Sequence, residues 1–298
     1  MRKIMPLLLT MVCLCPIKNS ANAVRIPENP NIENVIVEEK TEKQSELKTP
    51  DKKLGEKEKA RMKKDLRNFG VDSVFLDSLF ARSDFGIYDM KKLKKIKNYG
   101  EYREALKIEE KISHGVEFVK ENWVILQKLE REFGVSKYYI AATLGIETDY
   151  GRNIGEYNAI YALLTMYNRA GTWKGKKKWA RQITDFLKMC EELELDPFSV
   201  PSSWAGAIGP GQWMPSTWRG SFKDGNGDGK KDVFNLEDVL YSIAEHYAKH
   251  RSVDKAIYAY NPSRMYVRAT NEIAGGIERN ILFTGEEYVP FKSIFEKF

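Results

Sequence analysis

Cysteine is scarce in this chain, and two of the three, Cys13 and Cys15, fall close to the start. The opening 23 residues carry a basic start (Arg2, Lys3), an apolar stretch from Ile4 to Cys15 and the small triplet Ala21-Asn22-Ala23. This is the layout of a cleavable secretory signal. Cleavage there starts the mature chain at Val24 and leaves only Cys190, which excludes an internal disulfide. Stability must then come from core packing. Long hydrophobic runs are also lacking: the stretch from Ile4 to Cys15 is too short for a membrane-spanning helix, which needs ~20 residues. No stable membrane span is expected. Neither Cys13 nor Cys15 stands in the small-residue context of a lipid-anchored start, so the product reads as soluble and exported.

Strong charge is missing as well. The formal net charge is +6, and loss of Arg2, Lys3 and Lys18 with the signal lowers it by three, to +3. That surplus is too mild to argue for a nucleic-acid partner. It suits a substrate bearing carboxylates, and a solvated surface explains it equally well. Aromatic residues are almost absent from Val24 to Lys64, a Pro-, Glu- and Lys-rich stretch with too little apolar surface to offset the entropy of ordering it. Residues 24–64 read as a charged, disordered tether that turns helical only toward its end. Residues 65–298 are long enough for one large domain or two intimate lobes.

Alternating stretches are few, internal repeats are not visible, and apolar residues recur three and four apart, so the chain reads as mainly α. Ile112, Val116, Val119, Trp123 and Leu126 form one such face. Gly134 breaks the pattern, Ser136 is placed to cap the next helix, and Tyr138 to Thr148 forms it. Within it Ile140, Leu144 and Glu147 stand at i, i+4 and i+7, so an acid continues an aliphatic face. Desolvation there disfavours the charged form, which is what a general acid near neutral pH requires. Chain reversal at Gly151 puts Glu147 in the last turn, where it can look into a cleft. An acid that pairs with a neighbouring Arg or Tyr to hold two helices together fits the same spacing. Asp149 is turned about 200° away and reads as a capping or solvated acid. Glu156 follows in a loop from which it could reach the cleft.

Four blocks then bear on identity. YREALKIEEKISHGVEFVKENW, GVSKYYIAATLGIETDYGRNIGEYNAIYALLTM, SSWAGAIGPGQWMPSTW from Ser202 to Trp218, and YAYNPSRMYV from Tyr258 to Val267 stand in this order. Together they resemble the membrane-bound lytic murein transglycosylase B family, glycoside hydrolase family 103, over roughly residues 70–290. The resemblance implies a lysozyme-like helical catalytic domain with an EF-hand-like loop and an N-terminal helical lobe. It implies peptidoglycan glycan strands as substrate, a monomer, and the periplasm of a Gram-negative bacterium as location. It also implies that Glu147 is catalytic. The acid would protonate the oxygen between N-acetylmuramic acid and N-acetylglucosamine, then as base take the proton from the muramoyl C6 hydroxyl. That hydroxyl attacks the anomeric carbon of its own sugar and leaves a 1,6-anhydro end, an advantage of proximity. A conventional glycosidase uses two carboxyl groups; this scheme uses one. A lysozyme-like muramidase that delivers water, and a non-catalytic wall-binding scaffold, remain open alternatives.

Carried over by motif, Ser203 and Gln212 line the cleft and hold the reacting sugar, and Tyr260, Asn261, Tyr266 and Tyr102 resemble cleft residues. Without the match, Ser203 is a turn serine, Gln212 a surface amide and each Tyr a core residue. Where the family carries an Arg pair, this chain has Lys174-Gly175-Lys176-Lys177-Lys178. Lysine lacks the flat bidentate fork of Arg, which puts contacts to a peptide stem in doubt. Finally, Asp224, Asn226, Asp228, Gly229, Lys230 and Asp232 occupy positions 1, 3, 5, 6, 7 and 9 of an EF-hand loop. Ligands for a structural calcium ion would come from these residues, the Lys230 carbonyl included, with Asn235 at position 12 unless Glu237 or Asp238 bends in. No cofactor is needed for the chemistry. A metal-free turn rich in Asx residues is the alternative.

Overall fold

The structure is a computed structural model that describes residues 47–90 and 96–283. The signal segment and most of the tether lie outside these residues.

Twelve helices and one two-stranded sheet occur among the described residues. The chain begins with α1 (Glu56–Asn68) and α2 (Ser73–Ala81), the second capped by Asp72, whose carboxylate accepts from the Phe75 N–H. This overturns part of the tether. Leu54, Met62 and Leu66 are buried, Lys52 pairs with Ile87, and the Tyr88 hydroxyl donates to the Lys48 carbonyl at 2.8 Å. The packed core thus includes residues before 65, because a few apolar residues among many charges suffice to dock an amphipathic helix.

Next come α3 (Tyr99–Leu106), α4 (Ile108–Glu121), α5 (Trp123–Phe133) and α6 (Lys137–Thr148). The expected continuous face from Ile112 to Leu126 is divided between α4 and α5. The helix breaks at Asn122, whose side-chain amide donates to the Phe118 carbonyl at 2.9 Å. Gly134 ends α5 in the left-handed region, at φ 64°. Ser136 does occupy the N-cap of α6, yet its hydroxyl makes no capping bond. The strand β1 (Tyr157–Asn158) leads into α7 (Ala159–Arg169), which is buried along almost its full length, and α8 (Trp173–Glu192) packs on it. The strand β2 (Pro201–Ser202) runs antiparallel to β1, with Tyr157 opposite Ser202.

The remaining helices are α9 (Pro215–Ser221), α10 (Leu236–Ala248), α11 (Val253–Tyr260) and α12 (Arg264–Phe283). Helix α6 lies at the centre, packed by α4, α5, α10 and α12. Small residues on it, Ala141, Ala142 and Gly145, let these neighbours approach. Buried side chains from Leu54 to Ile281 form one hydrophobic cluster, so the N-terminal helices share the core of the rest. No helix among the described residues is long and apolar enough to cross a membrane.

Candidate active site

Glu147 is placed by the way α6 ends. Asp149 and Tyr150 both adopt left-handed backbone, at φ 55° and 60°, followed by Gly151 at 84°. Two successive non-glycine residues in that region are uncommon and are held by their surroundings. Here Tyr150 lies across two glycines. A Cβ on Gly115 of α4 would come within 2.3 Å of its hydroxyl, and one on Gly145 within 2.5 Å of its ring. The hydroxyl donates to the Lys111 carbonyl at 2.8 Å. Thr148 donates to the Pro210 carbonyl at 2.7 Å and accepts from the Gly151 N–H, which ties the end of α6 to the segment carrying Gln212.

Glu147 itself is half-buried, the one side chain of α6 between Ile140 and Thr148 that is not fully covered. Its Oε1 accepts a 2.6 Å hydrogen bond from the Tyr266 hydroxyl. Burial pushes the carboxyl up from its ordinary 4.5 to about 7, against the opposing pull of the Tyr266 hydrogen bond and the Lys111 charge. Burial therefore outweighs both. Tyr102, Tyr247 and Tyr260 stand close enough to feel its charge, and each is held above the usual phenol range, first by its own burial. A group near 7 carries and releases a proton at neutral pH, as a single acid–base residue must.

The structure gathers the expected residues unevenly. Tyr266 is fully buried, and its hydroxyl is spent on the Glu147 carboxylate. Tyr260 is half-buried; its hydroxyl donates to the Gly211 carbonyl at 2.7 Å and its ring meets Trp213 and His246 edge-on. Tyr102 and Asn261 are buried. The Ser203 hydroxyl accepts from the Ala207 N–H at 3.0 Å inside a turn closed by two further backbone bonds. Gln212 has φ 51°, and its amide nitrogen donates to the carbonyls of Ile154 and Gly209. Its side chain is thus a strut between two loops, with the carbonyl end left to accept. Glu156 does not project toward the acid: it forms an ion pair with Lys48. Of the lysine run, Lys176 is held by Asp65 at 3.6 Å and the Tyr167 ring, while Lys174 and Lys177 are exposed.

Sequence reasoning missed Lys111 and His114. Asp149 caps α6, and its carboxylate also sits 3.6 Å from Lys111 Nζ and 3.0 Å from His114 Nδ1. Neither partner was visible because both lie on α4, two helices upstream, in a pattern that reads as an ordinary polar face.

The loop before α10 is knit by its own side chains. Asp224 accepts from the Gly227 and Gly229 N–H groups, Asn226 from Asp228, Asp228 from Lys230, and Asp232 from Phe234. All are hard oxygen donors of the kind calcium selects, and carboxylate oxygens keep lone pairs beyond these bonds. Asn235 does not fit as the closing ligand, because its Oδ1 already accepts from the Glu237 and Asp238 N–H groups as the cap of α10. Asp238 does not bend in either. It is buried behind the loop and accepts from Gly225, Asn226 and Asp232. Among the described residues no group of three or more His, Cys, Asp or Glu side chains stands in a metal-holding arrangement.

Residues 54–254 match the family model described as Transglycosylase SLT domain. Among curated proteins, the chain is similar to membrane-bound lytic murein transglycosylase B of Escherichia coli strain K12, with 28% identity over 152 residues. That match covers 50% of this chain and 41% of the relative, so the chain spans well under half of the protein it matches. The fold is like that of the soluble lytic transglycosylase SltB1 from Pseudomonas aeruginosa, with TM-score 0.64, 22% identity, and coverage of 74% of this chain and 99% of that one. It is also like E. coli Slt35 in complex with calcium, with TM-score 0.63, 17% identity, and coverage of 75% and 93%. The expected lysozyme-like helical fold is the one observed.

Proposed function

The chain belongs to the transglycosylase SLT domain family, and on that premise we propose that it is a peptidoglycan lytic transglycosylase with Glu147 as its only acid–base residue. It cleaves between N-acetylmuramic acid and N-acetylglucosamine and leaves 1,6-anhydromuramoyl ends. One observation carries this reading: a half-buried carboxyl, pushed up to about 7, with a single phenol bonded to it at 2.6 Å. The protonated form donates to the leaving oxygen. The ionised form, steadied by Tyr266 and Lys111, takes the C6 hydroxyl proton. Asp149, the nearest acid along the chain, is committed to Lys111 and His114, so a second carboxylate to activate water does not come from there. That favours the intramolecular route over a muramidase.

Ser203, Gln212, Tyr260 and Asn261 hold the muramoyl unit, with Tyr102 behind the acid. Tyr266 acts through Glu147. Asp224, Asn226, Asp228, Asp232 and the Lys230 carbonyl hold a structural calcium ion, which supplies no chemistry. The protein acts as a monomer, exported to the periplasm. Digestion of purified sacculi, followed by mass spectrometry of the released fragments, tests the activity. Anhydro ends are expected. Reducing ends would make it a muramidase, and binding without release would make it a scaffold.

A further inference from the structure

Lys111 is a cation with little access to water, its side chain 12% exposed, and it faces the segment that ends α6. Its backbone is fixed by the Tyr150 hydroxyl, and its ammonium by Asp149, two residues past Glu147. Burying a lysine disfavours its charge, and here burial lowers Lys111 from its ordinary value while Asp149, Glu110 and Glu147 oppose that. A cation kept in such a place needs its partners. We propose that Lys111, held by Asp149 across the α4–α6 contact, is a positioning residue that sets the charge balance of Glu147 between the acid and base halves of the reaction. This rests on the reading of Glu147 as the acid–base group.

The surroundings of Glu147 leave that part to Lys111. Tyr266 from α12, Tyr260 from α11, Tyr247 from α10 and Tyr102 from α3 face it as neutral phenols, each raised above the usual range. Among the described residues, α5 brings no charge to bear on it, and Lys111 is the cation that does. A cation near a carboxyl favours the ionised form. Here it opposes burial together with the Tyr266 hydrogen bond. Asp149 restrains the same cation by pairing with it, and His114 Nδ1 also bonds the Asp149 carboxylate, at 3.0 Å.

The two members of the pair make opposite predictions. Lys111→Met removes the charge and keeps the apolar stem, so the Glu147 carboxyl should titrate higher. Asp149→Asn frees the charge and removes a nearby anion, so Glu147 should titrate lower; Asn is tolerated at the left-handed cap. The measurement is a carbon NMR titration of the full chain labelled at glutamate Cδ, with Glu147→Gln identifying the resonance. Midpoint shifts of at least ~0.5 pH unit, up for the first variant and down for the second, are expected for a partly screened charge. The alkaline limb of kcat/KM on sacculi should move the same way. An unchanged or lowered midpoint in Lys111→Met overturns the proposal, as does a raised one in Asp149→Asn. Mere loosening of the site would admit water and lower both. Failure of the proposed activity is distinguishable, since it leaves the wild type without anhydro product while the titration is still read.

Discussion

Around Glu147 a half-buried carboxyl takes one phenol hydrogen bond and feels one cation, Lys111, whereas in the loop before α10 four aspartates each accept from backbone N–H groups. The same functional group does opposite work in the two places. Carboxylates that accept backbone N–H groups hold a loop in shape. One left with a single neutral donor, and partly out of water, holds a proton it can give away. Asp238 sharpens the contrast: burial raises its carboxyl too, but three backbone N–H bonds oppose the rise. Asp238 is held by the backbone, and Glu147 by one side-chain hydroxyl.

The strongest break in this comparison is Glu147→Gln. The amide keeps the shape and the Tyr266 contact but cannot give and recover a proton, so release of product from sacculi should fall by at least ~10²–10⁴. A folded variant that keeps a substantial part of the activity would assign the acid elsewhere. Stability should move in the other direction. In the folded chain this acid titrates near 7 and in the unfolded chain near 4.5, so its protonation stabilises the fold below about pH 4.5, and that stabilisation is lost as pH rises through 7. The variant should therefore melt above wild type at pH 8, with the gap closing toward pH 5. Thermal melts at both pH values check this.

Asp238→Ala attacks the other region. It leaves the Gly225, Asn226 and Asp232 N–H groups without their acceptor. Water can satisfy some of them, so the cost is about 2–4 kcal/mol. For a domain of this size Tm should drop by roughly 4–16 °C. Activity measured well below the transition should survive. If it vanishes while the protein remains folded, the loop and the acid are one unit and the contrast fails.

Much of this architecture was readable in advance, for reasons that differ by region. The α6 helix announced itself because Ile140 and Leu144 on one side and Gly151 on the other bracket Glu147, and burial at a fixed spacing is a local property. Gln212 and Ser203 were found only through their motif; nothing local says that Gln212 takes φ 51° or braces Ile154. Tyr266 was expected in the cleft and is fully buried against the acid, since its sequence neighbours do not reveal which helix it meets. The sequence points to a helix toward the end of the tether but not to its docking, because its charges mask Leu54, Met62 and Leu66, whose partners lie elsewhere in the chain. Lys111 stayed hidden for the same reason: its meaning depends on Asp149.

Calcium extends the comparison to ligand binding. An ion that binds only the folded loop stabilises the protein by about 2.7 kcal/mol at a hundredfold excess over Kd. Millimolar calcium should raise Tm, and Asp228→Ala should abolish the rise by removing an anionic ligand. A chelator should leave turnover nearly unchanged at temperatures below the transition. Prompt inhibition of folded enzyme would place the metal in the chemistry, and an unmoved Tm would remove it from the protein.

Tyr266→Phe is the mildest and most discriminating change, because it alters the proton balance of Glu147 without altering the packing. The ring stays buried and only the hydroxyl goes. That hydroxyl donates at 2.6 Å and favours the ionised carboxyl, so its loss should raise the Glu147 midpoint further above 7. The acid form then persists to higher pH, and the alkaline limb of kcat/KM should shift upward. The base step loses its stabilising donor at the same time. A hydrogen bond to a charged group contributes about 1.5–3 kcal/mol, and because Glu147 keeps some access to water, the lower end applies. Turnover at the optimum should fall about tenfold, with KM nearly constant because Tyr266 is out of reach of substrate. A rise in KM at unchanged kcat would mean that the phenol touches the sugar after all.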